Sequence, residues 1–304
     1  MSDWLPDIAR LQGFDDEEWL QVERVFTGRL LAYVARRIPD LQAREDIVQD
    51  AFLGAVRGIP AFDPLYTFEQ YLFGICRNRT IDFLRRRKAQ TLGRVQEEGD
   101  EPPLIDELAW DEETPSHIVR AQDIQGRGRE LLRDILRDWV QETWQAQEFT
   151  RLMVIEALFS GGWRNRDTWE RFGLRDETAV AGIKFRALKR LRELAAQRDP
   201  SGALVPGLAD QAHDGSTGLD VATIWRASRL SCPARHWLAR AIAGTLERGP
   251  EGFVRFHLDE MGCEWCRANH DDLESSEEDL EPLLERVRAS TARYLRSKTI
   301  PSEQ

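Results

Sequence analysis

Apolar residues recur at helical spacing along almost the whole chain, and strand-like alternation is nearly absent. Trp19, Val22, Val25, Phe26, Leu30, Tyr33 and Val34 mark one face of a first helix, which Pro39 and Asp40 end. Ile47, Val48, Ala51, Phe52 and Val56 mark a second, closed near Gly58 and Pro60. A third is expected from about Thr67 to Lys88, with Phe68, Leu72, Ile75 and Leu84 inward. Periodicity then stops, and residues 91–116 carry Gly, paired Pro and acids, as linkers do. Helices are expected again around Arg129–Glu142 and Gln147–Phe159, up to a break at Gly161 and Gly162.

The stretch Asn165–Leu194 has the layout of a helix-turn-helix. Asn165 is expected to cap a short helix reaching Phe172, Gly173 to supply the turn, and Asp176 to cap a second helix. Val180, Ile183, Ala187, Leu191 and Leu194 form the apolar stripe of that helix, while Lys184, Lys189, Arg190 and Arg192 lie largely off it. Residues 199–218 are rich in Gly, Pro, Ser and Asp, a second linker. A last helical module follows and ends in an amphipathic helix with Leu283, Leu284, Val287 and Leu295. The expected fold is all-α, with helical modules at 10–92 and 129–198, linkers at 93–128 and 199–218, and a small Cys/His module at 219–304.

Composition changes this picture mainly through charge. The 304 residues carry a formal net charge of −11, which taken alone argues against a polyanionic partner. The charge is not evenly spread. Nine acids lie between Val95 and Ser116 and eight between His270 and Glu285, with no Lys or Arg in either run; the rest of the chain is net positive. That positive charge concentrates in Cys76–Gln90 and in Arg175–Arg198, the two places where a nucleic acid would be held. No apolar run of about 18 residues exists, so no membrane span is expected. The first residues lack a basic stretch followed by an apolar one, and four cysteines do not make a disulfide scaffold; a reducing cytoplasm is the expected location. No nucleotide-binding loop, Ser/His/Asp set or catalytic carboxylate pair can be assembled, so an enzyme is not expected.

Two segments then carry a family resemblance. REDIVQDAFLGAV followed by FEQYLFGICRNRTIDFLRRR resembles region 2 of the extracytoplasmic-function sigma factors, small alternative members of the bacterial sigma-70 family. The shared elements are the acidic helix at Glu45–Asp50, the aromatic–Leu pair Tyr71–Leu72, and Cys76–Arg87. TAVAGIKFRALKRLRE resembles the recognition helix of the family's region 4. The resemblance implies core RNA polymerase and promoter DNA as partners. It implies that Asp46, Gln49 and Asp50 face the polymerase. It assigns the −10 element to Tyr71, Arg77, Asn78, Arg79, Asp82, Arg85, Arg86, Arg87 and Lys88, with the bases neutralising phosphates and the short polar side chains reading base edges. Phe68, Tyr71 and Phe73 have faces suited to unstacked bases; core packing is the competing reading, the favoured one for Phe68 and an equal one for Tyr71. At the −35 element the resemblance points to Thr178, Ala181, Lys184, Arg186, Lys189 and Arg190. There the chain departs from the family: Ala179, Ala181 and Gly182 open the recognition helix, and alanine can meet a thymine methyl but cannot grip guanine.

Three of the four cysteines lie near the C-terminus, in the order Cys232, then His257, Cys263 and Cys266. Thiolates and imidazole at this spacing suit zinc, with Gly262 turning the chain. The set resembles the zinc-binding anti-sigma fold, although five residues separate His257 from Cys263 where that fold usually has three; His236 and His270 are the alternative ligands. Cys76 is expected to be a small core residue. The resemblance implies a fused regulator that contacts the sigma modules, its acids competing with DNA. Two other readings stay open: a helix-turn-helix regulator that works without polymerase, and a degenerate sigma-like adaptor.

Overall fold

The structure is a computed structural model that describes residues 4–64, 66–92, 123–200, 221–275 and 280–299. Both the acidic run at 95–116 and the linker at 201–218 lie outside them. Every regular element among the described residues is helical. They form two compact units, one made of residues up to Leu92 together with those from Arg267 onward, the other running from Asp123 to Cys266.

In the first unit, α1 (Ile8–Gln12), α2 (Asp16–Ala35), α3 (Leu41–Gly58) and α4 (Phe68–Leu92) surround an aromatic core. Asp15 and Asp40 open α2 and α3 by accepting the backbone N–H of Glu18 and Ala43 at 2.9 and 2.7 Å. Trp19 and Phe26 meet Phe68 edge-on, and Tyr33 meets Phe73 at 5.8 Å. Phe68 and Phe73 are both buried, so the packing of α2 against α4 uses the faces that a base would need. Cys76 is buried in the same core, which pushes its thiol up to about 12.

The last helix, α13 (Glu281–Thr299), packs on α2 and α3 of this unit. It buries Leu283, Leu284, Val287 and Leu295, the stripe expected from its spacing, each worth about 1.5–3 kcal/mol when removed from water. Arg286 pairs with Glu45, the Arg57 guanidinium lies over the Tyr294 ring at 5.5 Å, and Thr291 donates to the buried carboxylate of Glu23. Arg36 grips Asp271 with two hydrogen bonds of 2.9 Å. Gly28 makes room nearby: a Cβ there would collide with the Asp272 carboxylate.

The second unit holds α5 (Asp123–Gln145), α6 (Phe149–Phe159), α7 (Asn165–Arg171), α8 (Glu177–Arg198), α9 (Val221–Ala227), α10 (Arg235–Ile242) and α11 (Arg248–Asp259). A final helix, α12 (Glu264–Glu274), begins in this unit. All five residues of the α8 stripe are buried, against Leu132, Leu136 and Trp139 of α5 and Leu152 and Ile155 of α6. Gly173 takes a φ of +60° in the turn between α7 and α8, which a side chain would resist. Asp176 caps α8, accepting the Ala179 N–H at 2.9 Å. Asn165 is not the cap of α7: that helix starts one residue earlier than its side chain could cap, with Arg164 in the cap position and its carbonyl taken by the Thr168 hydroxyl at 2.9 Å. The α5 helix is also longer than its apolar spacing suggested, beginning at Asp123. No described helix is long and apolar enough to cross a membrane.

Candidate functional site

On the first unit, the N-terminal half of α3 and the C-terminal half of α4 border one groove, lined by Asp46 and Asp50 from α3 and Arg79, Asp82 and Arg86 from α4. The 3.6-residue repeat puts Ile47, Val48 and Ala51 into the core and thereby turns Asp46 and Asp50 outward, where both are exposed. Gln42 donates to Asp46 at 2.9 Å, and Gln49 is half-buried. On α4, Arg79, Arg85, Arg86 and Arg87 are exposed, and Arg77, Asn78 and Asp82 are half-buried. Arg79, Arg85 and Arg86 make no ion pair among the described residues. The Lys88 side chain lies outside them. Tyr71 is half-buried: its hydroxyl donates to the Ala55 carbonyl at 2.9 Å and its ring meets Phe62 edge-on, while burial pushes the phenol up to about 12. Of the three aromatics weighed for base contact, Phe68 is a core residue, the favoured reading, Phe73 is one too, and Tyr71 keeps partial exposure.

On the second unit, α8 shows an exposed face containing Thr178, Ala181, Lys184, Arg186 and Lys189. Arg190 is engaged within the unit: it grips Glu142 of α5 at 2.7 and 2.9 Å and Glu193 at 3.2 Å. That pairing raises the guanidinium and lowers the Glu142 carboxyl from their ordinary values. Phe185 projects from the same cationic face, 64% exposed. Its position off the buried stripe made it visible in the sequence, yet a charge-based reading passes over it.

Cys232, His257, Cys263 and Cys266 come together, with their four candidate ligand atoms all within 4.8 Å of one another. Neither His236 nor His270 joins them. His257 sits near the end of α11; the chain then turns at Gly262, φ +62°, and the Cys263 N–H bonds back to the His257 carbonyl at 3.3 Å. This loop absorbs the five-residue spacing. All four cysteines of the chain are free thiols. A tetrahedral zinc–thiolate centre, with Zn–S of about 2.3 Å, needs sulfurs about 3.8 Å apart; Cys232 and Cys263 stand at 3.7 Å. Among the described residues, the buried Nε2 of His257 has no hydrogen-bond partner. The donor set, the spacing and this orphaned nitrogen fit a closed four-coordinate metal centre.

Electrostatics divide over that fit: a metal needs deprotonated thiols and a neutral imidazole, and among the four residues only Cys263 is shifted that way. Hydrogen bonds from Cys232 and Cys266 hold the Cys263 thiol well below its ordinary value, whereas its neighbours' thiols raise Cys266. Burial, the largest single influence, lowers His257, but the Glu156 carboxylate together with Cys263 and Cys232 outweighs it and raises the imidazole. Glu156, on α6, faces His257 Nδ1 at 2.7 Å and accepts the Ser231 hydroxyl at 2.6 Å, and Trp225 Nε1 in turn donates to Ser231 at 2.8 Å. Sequence reasoning missed this chain of residues. Glu156 is separated from His257 by 101 positions, and no local spacing links them.

Comparison with known proteins bears on the first unit. Residues 26–90 match the family described as Sigma-70 region 2, a span that contains every residue of the α3–α4 groove. This segment is therefore similar to region 2 of the sigma-70 factors. Within that class, similarity extends to a probable RNA polymerase sigma factor of Haemophilus influenzae, 27% identical over 89 residues, covering 29% of this chain and 45% of the relative. It extends also to the ECF RNA polymerase sigma factor SigW of Bacillus subtilis, 27% identical over 81 residues, covering 27% of this chain and 43% of the relative. The chain thus spans less than half the length of the curated relatives it matches. No solved structure matches it.

Proposed function

We propose that this protein is an alternative sigma factor: it binds core RNA polymerase and directs promoter recognition, strand opening and transcription initiation. The observation that carries the reading is the region 2 match over residues 26–90, within which Asp46 and Asp50 stand exposed and Arg79, Arg85 and Arg86 stand without ion pairs among the described residues. Asp46, Gln49 and Asp50 dock on a basic polymerase surface. Arg77, Arg79 and Arg85–Lys88 neutralise phosphates around the −10 element, and Asn78, Asp82 and Tyr71 meet the bases of the opened strand. Binding energy alone opens the strands, so nothing in the reading calls for a nucleotide site. Thr178, Ala181, Lys184, Arg186 and Lys189 contact the −35 element. Arg190 acts there through its grip on Glu142, by setting the angle of α8. The cytoplasm, where polymerase is found, is the site of action.

The Cys232–His257–Cys263–Cys266 set holds a structural Zn²⁺ in this reading, and the metal when bound supplies folding free energy to residues 221–266. The C-terminal residues regulate by masking: α13 packs on α2 and α3, Arg286 pairs with Glu45 beside Asp46, and Asp271 occupies Arg36.

Run-off transcription with core polymerase and a promoter library tests this. The full chain should initiate from a subset of templates, and Asp46→Lys with Asp50→Lys should abolish it. A chain ended after Ser275 lacks α13 and retains the metal residues; it should initiate more strongly. No initiation from any template by either form would sink the sigma reading, and equal initiation by both would sink the masking.

A further inference from the structure

We infer that Glu156 is the positioning residue of the Cys/His metal centre and that it ties metal binding to the helix-turn-helix. The inference rests on the reading of that cluster as a metal centre and adds to it a residue from a different part of the chain. A carboxylate only accepts, so the 2.7 Å contact with Oε1 places the proton of a neutral His257 on Nδ1. That leaves Nε2 bare, and Nε2 is buried and without a hydrogen-bond partner among the described residues, on a side chain that clusters with the three cysteines. One hydrogen bond thus selects the tautomer and fixes the ring rotation that ligation needs. The Glu156 carboxylate is itself held by Ser231, which Trp225 orients.

The position of Glu156 makes a purely structural role hard to justify. It is 2% exposed on α6, between Ile155 and Ala157, which are fully buried. A carboxylate there is costly, and a similar-sized apolar side chain would serve packing better. What the carboxylate adds is a link. The α6 helix packs on α7 and α8, the two helices of the helix-turn-helix, and on α11, which carries His257. Metal capture at one end of the Glu156–His257 pair therefore restrains α6 at the other.

The test uses the full chain with Co²⁺ as the probe, read by its thiolate charge-transfer and ligand-field bands, followed by competition with Zn²⁺. The native chain should bind one equivalent with a tetrahedral spectrum. Outer-shell changes of this kind commonly cost 10–100-fold in metal affinity. Glu156→Ala should fall in that range, and Glu156→Gln, which keeps an accepting oxygen and the volume, should lose about tenfold or less with the ligand-field bands shifted. Affinity and spectrum within twofold of native for Glu156→Gln, and for Glu156→Ala where it folds, would overturn the positioning role. Failure of the native chain to bind Co²⁺ would instead overturn the metal reading, and this inference with it. Hydrogen exchange on the same proteins tests the link. Metal removal from the native chain should speed exchange across 149–159, and that difference should shrink in Glu156→Gln. A change confined to residues near 257–266 would overturn the coupling to α6.

Discussion

The α3–α4 groove and the Cys/His centre use charged and polar side chains in opposite ways. In the groove, Asp46, Asp50, Arg79 and Arg86 stand on the outside of an apolar bundle that does not need them. In the centre, His257, Cys266, Glu156 and Ser231 are themselves buried parts of the core. The first arrangement separates binding from stability, so the surface can change its partner at little structural cost. The second makes them the same thing: a residue cannot be altered for chemistry without being altered for packing.

The largest effect that would sharpen this contrast is expected from Cys263→Ser. Structural zinc–thiolate sites carry on the order of 10 kcal/mol of apparent binding free energy. If the set holds zinc as proposed, the variant should lose it by native mass spectrometry and lose exchange protection in 221–266, while residues 16–58 keep theirs. Equal loss in both places would break the contrast.

Next comes Phe73→Ala, which empties a fully buried site against Tyr33. Chemical denaturation should show a loss of about 3–5 kcal/mol. Asp46→Lys, in the same unit and exposed, should stay within about 0.5 kcal/mol of native. If the two variants were equally destabilised, binding and stability would not be separable in the groove.

Glu23 is an exception within the first unit, since burial under α13 pushes its carboxyl from 4.5 up to about 7, against the pull of Thr291 and Arg288. In the unfolded chain it ionises near 4.5; in the folded chain it stays protonated until about 7. Its contribution to the docking of α13 is therefore complete below 4.5 and is lost as pH rises through 7. The span amounts to up to about 3 kcal/mol. Exchange rates of α13 should rise between pH 5 and 8, and Glu23→Gln should flatten that rise. An unchanged slope in the variant would show that another group sets it.

The smallest effect is expected for Arg190→Ala. Its pairs with Glu142 and Glu193 are solvent-exposed, so less than about 1 kcal/mol should be lost in a thermal melt. Promoter binding that fell far more than stability would show that Arg190 also reaches DNA.

Much of this was legible in the sequence for one physical reason: burial of one helix face leaves a periodic trace. The stripes at Val180–Leu194 and Leu283–Leu295 are buried position by position. Thiols were legible because few other residue types bind zinc, so Cys232, Cys263 and Cys266 announced themselves. What stayed hidden depended on contacts between distant segments. Nothing near Phe73 says that Tyr33 will cover it, and nothing near Arg190 says that Glu142 will hold it. Glu156 is the lone acid of a helix whose other polar residues are Thr150 and Arg151, a pattern that local spacing reads as a surface position.

The contact between Glu156 and His257 also constrains the order of assembly. During synthesis, α5 to α8 emerge well before α11, since Glu156 precedes its partner by 101 positions. Through that interval the helix-turn-helix has all its own residues but presents a carboxylate on a face that will later be core. Contacts across so long a loop form late, because closing the loop costs entropy before anything is gained. The helix-turn-helix thus reaches its final packing only after residues beyond His257 have been made, and a chain interrupted before that point leaves α6 with an exposed apolar face and an unanswered charge.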